Sequence, residues 1–104
     1  MTLPKPTSQE LVQVRAAAVD ARRARAELKR RVKTGEISLT QALSIAAGDD
    51  VLSRMRVADL LMSVPHVGEI RARRLMERLG IAPNRHIVGL GRLQMAALAK
   101  EFGE

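Results

Sequence analysis

The stretch Pro65-His66-Val67-Gly68-Glu69-Ile70-Arg71-Ala72-Arg73-Arg74-Leu75-Met76-Glu77-Arg78-Leu79-Gly80 decides how the chain is read. Proline and glycine around His66 and Val67 predict a tight turn over Pro65–Gly68. A helix over Glu69–Leu79 follows, with Ile70, Leu75, Met76 and Leu79 expected on its apolar side and Gly80 as its stop. Pro65 fixes the entry and Val67 buries into the joint. Gly68 has no β-carbon, so the backbone there can come close to a ligand. The N–H groups of Gly68, Glu69 and Ile70 would then point out of a helix start, where a phosphate oxygen can be held, with Arg71, Arg73 and Arg74 in the following turns. The plain alternative is a Pro/Gly turn that binds nothing, and Glu69 already supplies negative charge at that helix start.

Upstream of this stretch, Met1–Pro6 contains two prolines and reads, with Thr7, as a flexible arm. Thr7-Ser8-Gln9-Glu10 has the form of a capping box. From Ser8 to Lys33 there are six alanines and no Gly or Pro, which predicts one helix. At 1.5 Å per residue its length is about 39 Å. Leu11, Val14, Ala18, Ala21, Leu28 and Val32 form a 3,4-spaced stripe, with Arg25 in the missing position. Both ends of that stripe are expected to dock on a core, with the alanine middle thinly covered. A homodimeric coiled coil is the competing reading, for which alanines and Arg25 make a poor seam. Gly35 is the expected left-handed cap.

Ser38-Leu39-Thr40-Gln41 predicts a second capping box and a short helix through Ala46 or Ala47, closed by Gly48. Asp49 or Asp50 would cap a further turn at Val51-Leu52. Val57–Met62 reads as another short helix, Ile81–Gly91 as a loop and Arg92–Phe102 as the last helix. No sustained period-two alternation occurs, so the fold class is all-α. The expected organisation is an arm over residues 1–7, a long basic helix over 8–34 and a helical binding domain over 36–104.

The formal net charge of +7 and a sequence pI near 11.3 point to a polyanion partner. Residues 1–35 hold nine basic and three acidic side chains, residues 36–62 two and four, and residues 63–104 seven and four. The middle segment is therefore read as a packing element, with the binding charge on either side of it. Arg22, Arg23, Arg25 and Lys29, with Arg30 and Lys33, could form a basic ridge, although such charge is often just a solvated helix face. Gly89-Leu90-Gly91 could form a backbone nest for an anion beside Arg92, a capping turn being equally open.

Cysteine is absent, which removes disulfide and thiolate chemistry. No apolar run approaches the ~18 residues of a membrane span, and Met1–Pro6 has no hydrophobic signal region, so no membrane is expected and a cytosolic location is. His66 and His86 stand twenty residues apart without a cysteine or carboxylate cluster, so no metal and no cofactor is expected. No lysine lies between residues 34 and 99, no aspartate follows Asp59, and no paired carboxylates or triad appear, so no catalytic residue is assigned. One aromatic residue, Phe102, argues against a stacking platform for single strands.

The segment Pro65–Ala72 resembles helix–hairpin–helix turns with a Gly-x-x-[Lys/Arg]-Ala step. With Leu79-Gly80-Ile81 it resembles the helix–two-turn–helix module of the ribosomal protein S13 family. Over about residues 3–103 the chain is similar to the actinobacterial integration host factors, through Ala21–Lys29, Met55-Arg56-Val57, Leu60-Leu61, Pro65-x-Val67-Gly68, Ile81-Ala82-Pro83 and Gly89-Leu90-Gly91. The resemblance implies a nucleoid-associated protein that binds double-stranded DNA with little sequence preference and bends or compacts it. It also implies a long N-terminal helix packed on the helix–two-turn–helix domain.

One departure stands out. The family's dense basic run before Gly-Leu-Gly is here Arg85-His86-Ile87-Val88. Arg85 keeps its place, while His86 and Val88 stand where basic residues are expected, so phosphate binding on that face should be weaker or pH-sensitive. The expected DNA-contacting set is Pro65, Val67, Gly68, Ile70, Arg71, Arg73, Arg74, Arg85, Gly89, Gly91 and Arg92, with Arg22, Arg23, Arg25 and Lys29 from the long helix. A monomer in solution is expected, with contacts between DNA-bound copies left open. An RNA- or ribosome-associated protein using the same hairpin, and an adaptor acting through the long helix, are the competing functions.

Overall fold

The computed structural model describes residues 7–103, and the expected arm, Thr7 apart, lies outside the described residues. Helices are α1 (Ser8–Lys33), α2 (Leu39–Ala47), α3 (Val57–Leu61), α4 (Glu69–Arg78) and α5 (Arg92–Glu101). Short 3₁₀ turns occur at Leu52–Arg54 and Ile87–Gly89. Among the described residues there is no strand, as the all-α expectation requires. A single antiparallel bridge joins Arg56 and His86. The segment expected as a plain loop over Ile81–Gly91 thus contains both a helical turn and that bridge. Val57 N–H donates to the Arg85 carbonyl and Ile87 N–H to the Met55 carbonyl, each at 2.9 Å.

Local chemistry sets the helix ends. The Thr7 hydroxyl accepts from Glu10 N–H and the Glu10 carboxylate accepts from Thr7 N–H, each at 3.1 Å. Ser38 and Gln41 form the same reciprocal pair ahead of α2. Asp49 Oδ1 accepts from the N–H groups of Val51 and Leu52, both at 2.8 Å, and so starts the Leu52–Arg54 turn. At the end of α4, Gly80 takes φ +71, Gly80 N–H reaches the Glu77 carbonyl and Ile81 N–H the Met76 carbonyl. That pair of bonds is a Schellman closure, and it needs the left-handed backbone that glycine adopts without a β-carbon clash.

The core is aliphatic. Leu43, Val57, Leu60, Leu61, Met76 and Leu98 are fully buried, drawn from α2, α3, α4 and α5. Burying each such Leu or Met contributes roughly 1.5–3 kcal/mol. The helix α1 joins this core only through Leu28 and Val32. Its N-terminal end does not dock, contrary to expectation: Leu11 is 40% and Val14 65% exposed. The reason is length. A helix of 26 residues extends about 39 Å, whereas α2, which returns along it, has 9 residues and spans about 14 Å.

A second correction concerns α4. Ile70 is 68% exposed, and the first-turn core residue is Ala72, followed by Leu75 and Met76. Ile70 lies five residues before Leu75. At 100° per residue that puts it on the far side of the helix from the Ala72–Leu75–Met76 face.

Candidate nucleic-acid interface

The turn into α4 is built from below. Val67 N–H donates to the Val64 carbonyl at 3.1 Å and the Val67 side chain is buried. Val67 therefore supports the turn from inside and offers no surface for a ligand. His66 holds φ +69, a left-handed conformation uncommon for a residue with a β-carbon. Gly68 is the cap residue of α4 in extended conformation, with no side-chain cap beside it. A β-carbon placed on Gly68 would meet nothing within 4 Å, so packing within the chain does not demand glycine there. Among the described residues, the N–H groups of Gly68, Glu69 and Ile70 have no hydrogen-bond partner. They stand at the positive end of a ten-residue helix.

The three arginines expected to act together are divided by the helix. Arg71, Arg74 and Arg78 are spaced three and four apart and share one flank. With Gly68, Glu69, Ile70, Glu101 and Phe102 they line an open groove of about 640 Å³ between α4 and the end of α5. Arg73 lies on the other flank, where its guanidinium donates to Glu69 Oε1 at 2.9 Å. That pairing engages Glu69, the residue expected to oppose an anion at this helix start. Arg78, outside the expected set, was findable as the next member of the Arg71–Arg74 spacing. Its Nη2 is 2.6 Å from Glu101 Oε1, which ties α4 to α5. This hydrogen bond, with the Arg78 and Arg71 charges, holds the Glu101 carboxyl below its ordinary range.

Of the two readings left open for the Gly89–Gly91 segment, the structure takes the capping turn. Gly89 N–H donates to the His86 carbonyl, Leu90 N–H to the Ile87 carbonyl and Gly91 N–H to Gln94 Oε1. Leu90 and Gly91 are both extended, so the alternating backbone of an anion nest is not formed. Gln94 also donates through Nε2 to the Gly80 carbonyl at 3.0 Å, locking the start of α5 to the end of α4. Arg85 is half-buried and donates from Nη1 to the Gly89 carbonyl at 2.8 Å. Its Cδ lies 2.9 Å from where a β-carbon on Gly89 would stand, so glycine at 89 makes room for Arg85. Arg92 is exposed, as is Val88.

On α1, Arg22 and Arg23 are exposed, while Arg25 and Lys29 are half-buried. None of the four is in an ion pair with another described residue. Arg30 and Arg31 are instead held by Glu27 and Glu36. The hydrogen bond from Arg30 holds the Glu27 carboxyl low.

A family model described as an S13-like H2TH domain matches residues 32–102. The integration host factor of Mycobacterium tuberculosis (strain ATCC 25618 / H37Rv) is 46% identical over 103 residues, covering 99% of this chain and 98% of the relative. The chain belongs to the integration host factor family. A second integration host factor, from Streptomyces coelicolor (strain ATCC BAA-471 / A3(2) / M145), is 43% identical over 99% of this chain and 96% of its own. Among solved structures, sIHF bound to an 8 bp palindromic DNA matches with TM-score 0.82 and 45% identity, covering 85% of this chain and 99% of that one. Within this chain, the Arg85–Val88 departure falls on the bridge and turn just described. His86 pairs with Arg56 across the bridge, and Val88 faces solvent.

Proposed function

We propose that the chain binds double-stranded DNA mainly through its phosphate backbone, with little sequence specificity, and bends or compacts it as a nucleoid-associated protein of the cytoplasm. One observation carries the reading: the open start of α4, with unengaged N–H groups at Gly68, Glu69 and Ile70, clear space above Gly68, and Arg71 and Arg74 on its rim. The likeness to a DNA-bound sIHF supports the same partner. Gly68, Ile70, Arg71 and Arg74 are the inner contacts in this reading, with Pro65 at the turn and Arg92 at the start of α5 beside them. Arg22, Arg23, Arg25 and Lys29 form a second basic surface on α1. Arg71, Arg73 and Arg85 enter with part of their donor capacity engaged by the His66 carbonyl, Glu69 and the Gly89 carbonyl. Val67, Gly89 and Gly91 act by shaping the turns.

The proposed role is binding rather than catalysis, and no helix among the described residues is long and apolar enough to cross a membrane. The test is a gel-shift series over salt concentration with several unrelated duplexes. With about six phosphate contacts, log K against log salt should slope near −5, almost independently of sequence. A slope near −1 contradicts the reading. Competition by duplex RNA of equal length separates DNA from RNA as the partner. RNA that competes as well as DNA would favour the ribosome-associated alternative, since a helix start recognises phosphate in either duplex.

A further inference from the structure

The two halves of α1 differ in environment and charge. Every residue from Ser8 to Asp20 is exposed, including Leu11, Val12, Val14 and Val19. That half holds Glu10 and Asp20 against Arg15, whereas Ala21–Lys33 holds seven basic residues against Glu27 alone. DNA and anionic lipid are poor occupants for a half that carries no net positive charge. It nevertheless carries the 3,4-spaced stripe Leu11, Val14 and Ala18, which leads through the half-buried Ala21 and Arg25 to the buried Leu28 and Val32.

We propose that the free half of α1 pairs antiparallel with the same half of a second copy. The direction follows from the shared face. The stripe of the free half runs directly into the face that docks on the chain's own core, so a parallel partner would bring the two domains into collision. An antiparallel partner leaves the domains at opposite ends and on opposite sides. The register follows from size. With Leu11 against Ala21 of the second copy and Val14 against Ala18, two-fold symmetry gives four layers, each a large side chain against a small one. A parallel seam sets alanine on alanine and Arg25 on Arg25, which is why it reads poorly. In the antiparallel register Arg25 instead comes within an arginine's length of Glu10 on the other copy, once at each end.

The layered length, Leu11–Ala21, is about 16 Å of helix. With alanine in every layer, the contact falls below the ~1,200 Å² of a standard stable interface. Pairing is therefore weak between free copies and strengthened where copies are held close together. That strengthening by DNA rests on the proposed function.

The chain contains no cysteine, so single-cysteine variants report one position each. In the proposed register the two copies' residues 18 are about 6 Å apart along the axis and the two residues 21 about 15 Å apart. Full-length Ala18→Cys and Ala21→Cys would be treated with a short bismaleimide, at rising protein concentration alone and with a long duplex. Ala18→Cys should yield several-fold more cross-linked dimer than Ala21→Cys, increasing with concentration and with duplex, and adding Val14→Asp should remove it. Absence of Ala18→Cys dimer under every condition overturns the proposal, as does equal cross-linking at Ala21, which marks a parallel pair. The protein-only arm reports pairing even if the duplex does not bind, so the two readings fail separately. Circular dichroism of each variant checks that α1 is intact.

Discussion

Two helix entries in this molecule look alike in sequence and differ in what they leave open. Val67-Gly68-Glu69 leads into α4 and Leu90-Gly91-Arg92 into α5, each with an extended glycine as cap residue. At the second, Gln94 reaches back to the Gly91 N–H and also grips the Gly80 carbonyl, while Arg85 covers Gly89. At the first, the residue three past the glycine is Arg71, which cannot accept a hydrogen bond. The N–H groups at Gly68 stay unengaged and a guanidinium stands beside them. An acceptor at that position closes an entry into a structural joint; a cation leaves it open to an anion.

The largest expected effect comes from filling the open entry. Gly68→Leu should cost roughly 1.5–3 kcal/mol of DNA binding, about ten- to a hundredfold in Kd, by blocking approach to charge-assisted donors. Because space above Gly68 is clear and its φ is −90°, the melting temperature should stay close to that of the parent. A variant that unfolds instead would show that glycine serves the turn itself. At the closed entry the signs reverse. Gln94→Ala removes both hydrogen bonds of that side chain and should cost about 1–2 kcal/mol of stability in a denaturant melt. DNA affinity should be unchanged or slightly improved, and a large loss would mean that α5 rather than α4 carries the contact.

Gly89→Ala should cost less, about 1 kcal/mol, because the atom it displaces is in the flexible Arg85 side chain. Its affinity change would measure how far Arg85 depends on its tether. The smallest effect is pH-dependent. The Glu101 carboxyl is held below its ordinary value by Arg78, so its stabilisation of the α4–α5 contact is present above the ordinary carboxylate range and fades as pH falls through the lowered folded value. The difference in melting temperature between the parent and Glu101→Gln should be small at pH 7 and vanish in acid. A difference that grows in acid contradicts the pairing.

How much of this was legible depended on how local the cause was. The Ser8–Lys33 and Leu39–Ala47 helices, both capping boxes and the Gly80 stop rest on neighbours within four residues, and the sequence contains those neighbours. The exposure of Leu11 and Val14 was not legible, because it depends on how far α2 runs back along α1. Ile70 is apolar but stands about 140° around α4 from Leu75, so its angle and not its hydrophobicity decides its exposure. The division of Arg71 and Arg74 from Arg73 follows from the same angular count. The closure of the Gly89–Gly91 entry was half legible: Gln94 stands three residues after Gly91, but its second bond, to the Gly80 carbonyl, joins segments fourteen residues apart.

The central claim is that the open α4 entry, with Arg71 and Arg74 beside it, holds phosphate. The most direct measurement is the salt dependence of duplex-DNA affinity for the parent and for the double variant Arg71→Ala/Arg74→Ala, with circular dichroism confirming equal folding. The account predicts a parent slope near −5 that becomes shallower by about 2 in the variant, equally for unrelated duplexes. An unchanged slope and affinity would contradict it and leave the hairpin a purely structural turn.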